Sequence, residues 1–202
     1  MRITIHQPES RTGVPEENLR ALIDTARGVA EESDVVFAPL GSVEGGLLAL
    51  QDEVSFQSEA RARYTELLLD EAARMLLRRP VMLAVPVRFP EGIRHAVLNE
   101  GRVTFADPAE GILLPDGTRV ALREEAPGDI YWNSSLRHTV WEELPLPVLP
   151  SRPVLSMSLG GAERTEIFRG ESFFTDGIKA VALPRFERAR VTFEWRRGEA
   201  LD

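Results

Sequence analysis

The stretch Asp34-Val35-Val36-Phe37-Ala38-Pro39-Leu40-Gly41 constrains the fold more than any other. Val35 to Ala38 is a short, unbroken run of strand-favouring and apolar residues, the pattern of a strand covered on both faces. Pro39 closes it, and Gly41-Ser42-Val43-Glu44-Gly45-Gly46 then reads as a turn that needs left-handed backbone. Strands covered on both faces belong to α/β sheets, where ligands and reactive side chains gather at the strands' C-terminal ends. The side chain delivered to that end is Leu40, which neither accepts nor donates a proton. The glycine-rich turn lacks the Gly-Lys-Ser/Thr ending of a phosphate-binding loop.

The flanking segments agree with an α/β reading. Ile3 and Ile5 alternate with polar residues and predict a first strand ending at His6-Gln7-Pro8. Pro15 is placed to start a helix whose Leu19, Leu22, Ile23, Ala26, Val29 and Ala30 recur at helical spacing. A second helix carries Tyr64, Leu67, Leu68, Ala72, Met75 and Leu76 as its expected apolar stripe, and ends near Arg78-Arg79-Pro80. From Val81 onward the pattern turns to strands. His95 to Leu98 and Arg102 to Phe105 form one predicted hairpin around Asn99-Glu100-Gly101, and Ile112 to Leu114 and Arg119 to Leu122 form another. Ile130 to Trp132, a brief helix around Leu136 to Leu144, Val154 to Ser158 and several short C-terminal strands follow. No repeat or linker divides the chain, so a single domain over residues 1–202 is expected, large enough for a substantial core.

Composition narrows the chemistry. A net charge of −8 argues against nucleic acid as a partner. The absence of cysteine removes disulfides, thiolate metal sites and thiol nucleophiles together. Lys179 is the sole lysine. The N-terminal residues enter a strand pattern without a leader-like apolar block, and the longest apolar run, Val81 to Val87, contains Pro86 and is too short for a bilayer. The expectation is a cytoplasmic protein with no membrane partner.

Four motifs carry a resemblance. They are Ile5-His6-Gln7-Pro8 with Asn18-Leu19; Asp34 to Pro39; His95-Ala96-Val97-Leu98 with Gly101-Arg102-Val103; and Gly160-Gly161, Ile167-Phe168-Arg169-Gly170-Glu171-Ser172 and Asp176-Gly177 in series. In this order they resemble the nitrilase (carbon–nitrogen hydrolase) superfamily, most closely the glutaminase domain of glutamine-dependent NAD synthetase. The resemblance implies an α-β-β-α sandwich of two mixed β-sheets flanked by helices, here truncated, and pairing into a homodimer. It also implies chemistry by a glutamate base, an oxyanion-stabilising lysine and a cysteine nucleophile. Leu40 stands at the base position, no lysine follows the hairpin near Asp107-Pro108, and the nucleophile region reads Arg123-Glu124-Glu125. Lys179 falls outside the family's catalytic position.

With no catalytic residue assigned, the expected function is a catalytically inactive nitrilase-like protein that binds, scaffolds or regulates, with a separate NAD synthetase subunit as partner. The alternative is an amide hydrolase whose chemistry has moved to carboxylates or a metal. The candidate pocket residues are His6, Gln7, Glu44, His95, Glu124, Glu125 and Asp129. Against each stands a plainer reading: Glu44 as a solvated loop carboxylate, Glu124, Glu125 and Asp129 as a surface turn punctuated by Pro127-Gly128, and each histidine as a structural one. The scattered histidines predict no metal site, and no cofactor is expected. Trp132, Trp141, Trp195, Phe173 and Phe174 are assigned to the core or to a dimer contact.

Overall fold

The computed structural model describes residues 1–46, 59–133, 152–163, 166–199 and 201. In chain order the elements are β1 (Arg2–Gln7), α1 (Pro15–Gly28), β2 (Val35–Phe37), α2 (Glu59–Met75), β3 (Met82–Phe89), β4 (Gly92–Asn99), β5 (Arg102–Ala106), β6 (Ile112–Leu113) and β7 (Arg119–Ala121). There follow β8 (Ile130–Asn133), β9 (Val154–Ser156), β10 (Gly160–Glu163), β11 (Glu166–Arg169), β12 (Phe173–Thr175), β13 (Ala180–Ala182) and β14 (Ala189–Glu194). They build two six-stranded mixed sheets, ordered β14-β1-β2-β3-β4-β5 and β13-β12-β9-β8-β7-β6, and a separate two-stranded hairpin, β10-β11.

Alternation along the strands explains the layering. Val35 and Phe37 join Ile3, Ile5, Ala84 and Val97 in one core between the two sheets, against Val120, Ile130, Trp132, Leu155 and Phe174 of the second. Val36 and Ala38 point the other way, into a second core with Leu83, Val85 and Val87, which α1 and α2 cover. Both faces of β2 are thus buried, as a parallel strand between two parallel neighbours requires. Phe37, Trp132 and His95 form an edge-to-face series between the sheets, with ring centroids 5.0 Å and 5.2 Å apart. Each such ring pair adds about 0.5–1.5 kcal/mol beyond the area it buries.

Helix α1 starts on Pro15 with Glu16 and Glu17 in its first turn and Arg27 in its last, the charge order its dipole favours. Helix α2 differs from expectation in phase. Its buried face is Thr65, Leu69, Ala72 and Ala73, continued by Leu76, while Tyr64, Leu67 and Met75 are exposed. The inward stripe runs through Leu69 and Leu76 with the small Thr65, Ala72 and Ala73 between them, one position on from Tyr64 and Met75, and Leu68 packs at its margin. Trp132, Trp195 and Phe174 are core residues of this chain, Phe173 is half-buried, and Trp141 and the Leu136–Leu144 helix lie outside the described residues. Among the described residues no helix is long and apolar enough to cross a membrane.

Candidate functional site

β2 and its parallel neighbours deliver their C-terminal ends to one edge of the sandwich. Leu40 lies there and is 1% exposed, packed with Leu159 and Phe168 in an apolar trio separate from both larger cores. Leu159 follows β9, and Phe168 comes from β11. A Cβ on Gly46 would collide with the Phe168 ring, so the glycine turn and the ring are pressed together. The position expected to hold a general base is therefore sealed by hydrocarbon.

The turn after Leu40 is held at three points. Gly41 and Gly45 have φ of 85° and 94°, which only glycine adopts without strain. Asn18 of α1 donates from Nδ2 to the Val43 carbonyl at 2.9 Å and to the Arg11 carbonyl at 2.7 Å. Glu44 accepts the backbone N–H of Arg88, on β3, at 3.0 Å. Glu44 is not a solvated loop carboxylate: it is 6% exposed, and its Oε2 has no hydrogen-bond partner. Burial pushes its carboxyl up to about 7, outweighing the Arg88 N–H and the charges of Arg88 and Arg61. The expectation failed because burial here depends on a strand that arrives more than forty residues later.

The two histidines expected near the pocket lie on opposite sides of the first sheet. His95 sits between the sheets against Trp132, and burial lowers it to about 4. His6 faces α1 instead, with Nε2 3.5 Å from the Thr25 hydroxyl. Burial, with Arg188 and Arg190 nearby, lowers it to about 4 as well. Both are neutral at physiological pH and do not converge on a shared ligand.

Gln7 acts as a staple. Its Nε2 donates to the carbonyls of Pro184 at 2.9 Å and Glu187 at 2.7 Å, and its Oε1 accepts from Ser172 N at 2.9 Å. A Cβ on either Gly160 or Gly170 would strike this amide, which is why glycines stand there. Ser172 completes the join, accepting from Ser158 N and donating to the Ser158 carbonyl, both at 3.0 Å. The Gln-Pro, Gly-Gly and Gly-x-Ser motifs of the sequence therefore meet as architecture.

At the end of β7, where a nucleophile is expected, the chain makes a turn. Glu124 and Glu125 are exposed on it. Arg152 fills the inside: Nη1 donates to the carbonyls of Ala126 at 2.6 Å and Gly128 at 3.5 Å, and Nη2 to those of Arg123 at 3.3 Å and Glu124. Asp129 is drawn away, accepting Arg119 N at 2.9 Å and pairing with Arg197 at 2.9 Å. At the expected lysine position Asp107 caps its own exposed turn through Ala109 N at 2.7 Å. Lys179 is exposed in the turn between β12 and β13. Among the described residues no three metal-capable side chains come together.

Phe168, Leu159, Arg152 and Asn18 were not foreseen as site residues. Asn18 and Phe168 left a trace in the sequence, as members of the first and fourth motifs, but not as site residues; Leu159 and Arg152 left none.

No family model matches the chain. No curated protein matches it either. Solved structures do. A mutant of the amidase from Nesterenkonia sp. AN1 that shows Michael addition of acrylamide at its active-site cysteine superposes with a TM-score of 0.74 at 16% identity, over 97% of this chain and 93% of that one. A double mutant of that amidase in complex with acrylamide gives 0.73 at 16%, over 95% and 89%. A cysteine-to-serine mutant, described as from the nitrilase superfamily, gives 0.73 at 16%, over 95% and 90%. At this identity the likeness establishes the fold: an α/β sandwich of two mixed sheets shared with nitrilase-superfamily amidases.

Proposed function

We propose that this chain is a catalytically silent member of the carbon–nitrogen hydrolase group, a single nitrilase-like unit that binds a ligand or a partner protein and turns over no amide. The observation that carries this reading is Leu40, enclosed by Leu159 and Phe168 where a proton acceptor is required. Attack on an amide needs a nucleophile, a base and a positive group facing the new oxyanion. Here those stations hold a turn clamped by Arg152, a leucine, and an Asp107 turn, while the chain has no cysteine. Purified protein given glutamine, acetamide and acrylamide is expected to release ammonia no faster than buffer. Release that scales with protein and survives repurification would overturn the reading.

The motifs that resemble the glutaminase domain of NAD synthetase support a regulatory role beside a separate, ammonia-dependent synthetase in the cytoplasm, with the chain itself a homodimer. Light scattering alone and with such a synthetase tests both: a monomer in each case removes them.

One observation favours a second reading, a hydrolase with relocated chemistry. Glu44 is a buried carboxyl held up at about 7, the range of a general base at neutral pH. That reading requires activity which Glu44→Gln abolishes.

A further inference from the structure

The inner face of the β4-β5 hairpin changes character along its length. By register His95 lies opposite Ala106, Val97 opposite Thr104 and Asn99 opposite Arg102, so these residues share one face. Val97 and Ala106 on that face pack into the core between the sheets. Beyond them the same face turns polar, with Thr104, Asn99 and Arg102. The second sheet is short here, because its edge strand β6 has two residues. The overhanging end of the hairpin therefore borders a cleft of about 380 Å³. Met82, Val97 and Ile112, all buried, floor it, and the exposed Leu113 and Glu100 stand at its rim.

The walls of this cleft are set by close packing. A Cβ on Gly111, where φ is 73°, would strike the Val120 carbonyl, which presses the entry of β6 against β7. A Cβ on Gly101 would come within 3.0 Å of Leu77, so the hairpin turn rests on the chain just beyond α2. Met82 pairs with Val35 at the start of β2, which puts the cleft at the opposite end of the sheet from Leu40. Glu100 and Arg102 bring opposite charges to it, and neither pairs with another described residue. Glu100 also holds φ of 49° at a turn position where asparagine, aspartate or glycine is at home. The turn alone does not account for a glutamate there.

We infer that this cleft binds a free aliphatic α-amino acid. Arg102 takes the carboxylate with its planar fork, Glu100 takes the ammonium, and the side chain lies on Met82, Val97 and Ile112. Asn99 and Thr104 supply further hydrogen bonds at the polar end. An apolar floor with a few convergent polar groups is the usual make-up of a small-ligand site, and such sites span roughly 300–1,000 Å³. A cleft near the low end of that range suits one amino acid better than a peptide or a nucleotide. A lone carboxylate is drawn by one charge and repelled by the other, as is a lone amine, whereas a dipolar ion satisfies both.

The test titrates the full chain by calorimetry with L-leucine, glycine, 4-methylpentanoate and 3-methylbutylamine. The last two are leucine without its amine and without its carboxylate. Leucine is expected to bind with a Kd below about 1 mM, and each of the others at least tenfold more weakly. Leucine that does not bind overturns the site. Glycine binding as tightly overturns the apolar floor, and either half-ligand matching leucine overturns the paired charges. Arg102→Ala and Glu100→Asn should each weaken leucine at least tenfold, with thermal unfolding confirming that both variants fold. Asparagine suits the left-handed position, so the melting temperature of Glu100→Asn should hold or rise while its affinity falls. Unchanged affinity in that variant would make Glu100 a turn residue only and overturn the ammonium contact. None of these readouts involves turnover, so their failure leaves the silent-centre reading standing, and ammonia release would leave the cleft untouched.

Discussion

The ends of β2 and β7 invite comparison, since each follows a strand paired in parallel with the next, one in each six-stranded sheet, and they are closed by different physics. The β2 end is sealed by packing: Leu40, Leu159 and Phe168 above, and the Phe37–Trp132–His95 series below. The β7 end is closed by one guanidinium that gathers the carbonyls of a short turn. Packing resists opening in proportion to the volume displaced, and a clamp in proportion to the hydrogen bonds lost. The two strand ends are thus closed in two ways, one by filling with hydrocarbon and one by tying the backbone with a guanidinium, while the strands beneath stay in register.

The sharpest way to break the contrast is beneath the seal. Trp132→Ala should cost about 4 kcal/mol, the usual loss for a large ring deleted from a full core, measured by urea unfolding. A loss comparable to that of a surface change would mean that the series is not what supports the β2 end.

Glu44 comes next. Its folded pKa, about 7, is raised above the ordinary 4.5, so its favourable contribution is complete below pH 4.5 and is lost as the pH rises through 7. A shift of that size corresponds to roughly 3 kcal/mol between pH 4.5 and pH 8.5. Glu44→Gln should flatten that part of the stability profile; an unchanged slope would place the proton elsewhere. The groups facing Glu44 are Arg88 and Arg61, and added salt should weaken their pull and steepen the slope slightly.

A smaller effect is expected from Phe168→Ala. Phe168 belongs to a three-residue apolar cluster apart from both larger cores, so global stability should fall by about 2 kcal/mol, short of the 3–5 kcal/mol usual for a phenylalanine in a full core. A full-sized loss would make the ring a fixed core residue. Arg152→Ala should cost least, about 1.5 kcal/mol, because its charged head is partly wet and water can replace it at the carbonyls. Arg152→Lys should rescue little, since a single ammonium cannot reach the carbonyls that the planar fork spans.

Legibility in the sequence follows the same contrast. Elements defined by neighbours along the chain were readable: β2 from its unbroken apolar run, and β4 and β5 from the Asn99-Glu100-Gly101 turn, where Glu100 and Gly101 both have positive φ. The glycine turn was readable because φ at Gly41 and Gly45 is a local demand. Leu40 was readable as chemically inert, but not as sealed, because Leu159 and Phe168 reach it only through the folded sandwich. Glu44 was misjudged for a related reason: charge in a glycine-rich turn suggests water, and only the Arg88 N–H shows otherwise. On α2, helical spacing gave two overlapping stripes, and the one through Thr65, Leu69, Ala72, Ala73 and Leu76 faced inward rather than Tyr64, Leu67 and Met75, a choice of phase that spacing alone does not make.

The pairing of β1 with β14 has a consequence for how the protein is made. β1 lies inside its sheet, with β2 on one side and β14 on the other, and Thr4 meets Thr192 hydroxyl to hydroxyl at 2.7 Å across 188 residues of separation. A ribosome thus releases β1 long before its second neighbour exists, leaving one rim of the strand open throughout synthesis. High contact order of this kind slows folding and leaves nascent chains vulnerable to self-association, so expression yield should respond to translation speed and chaperone supply more than to small changes in the finished fold.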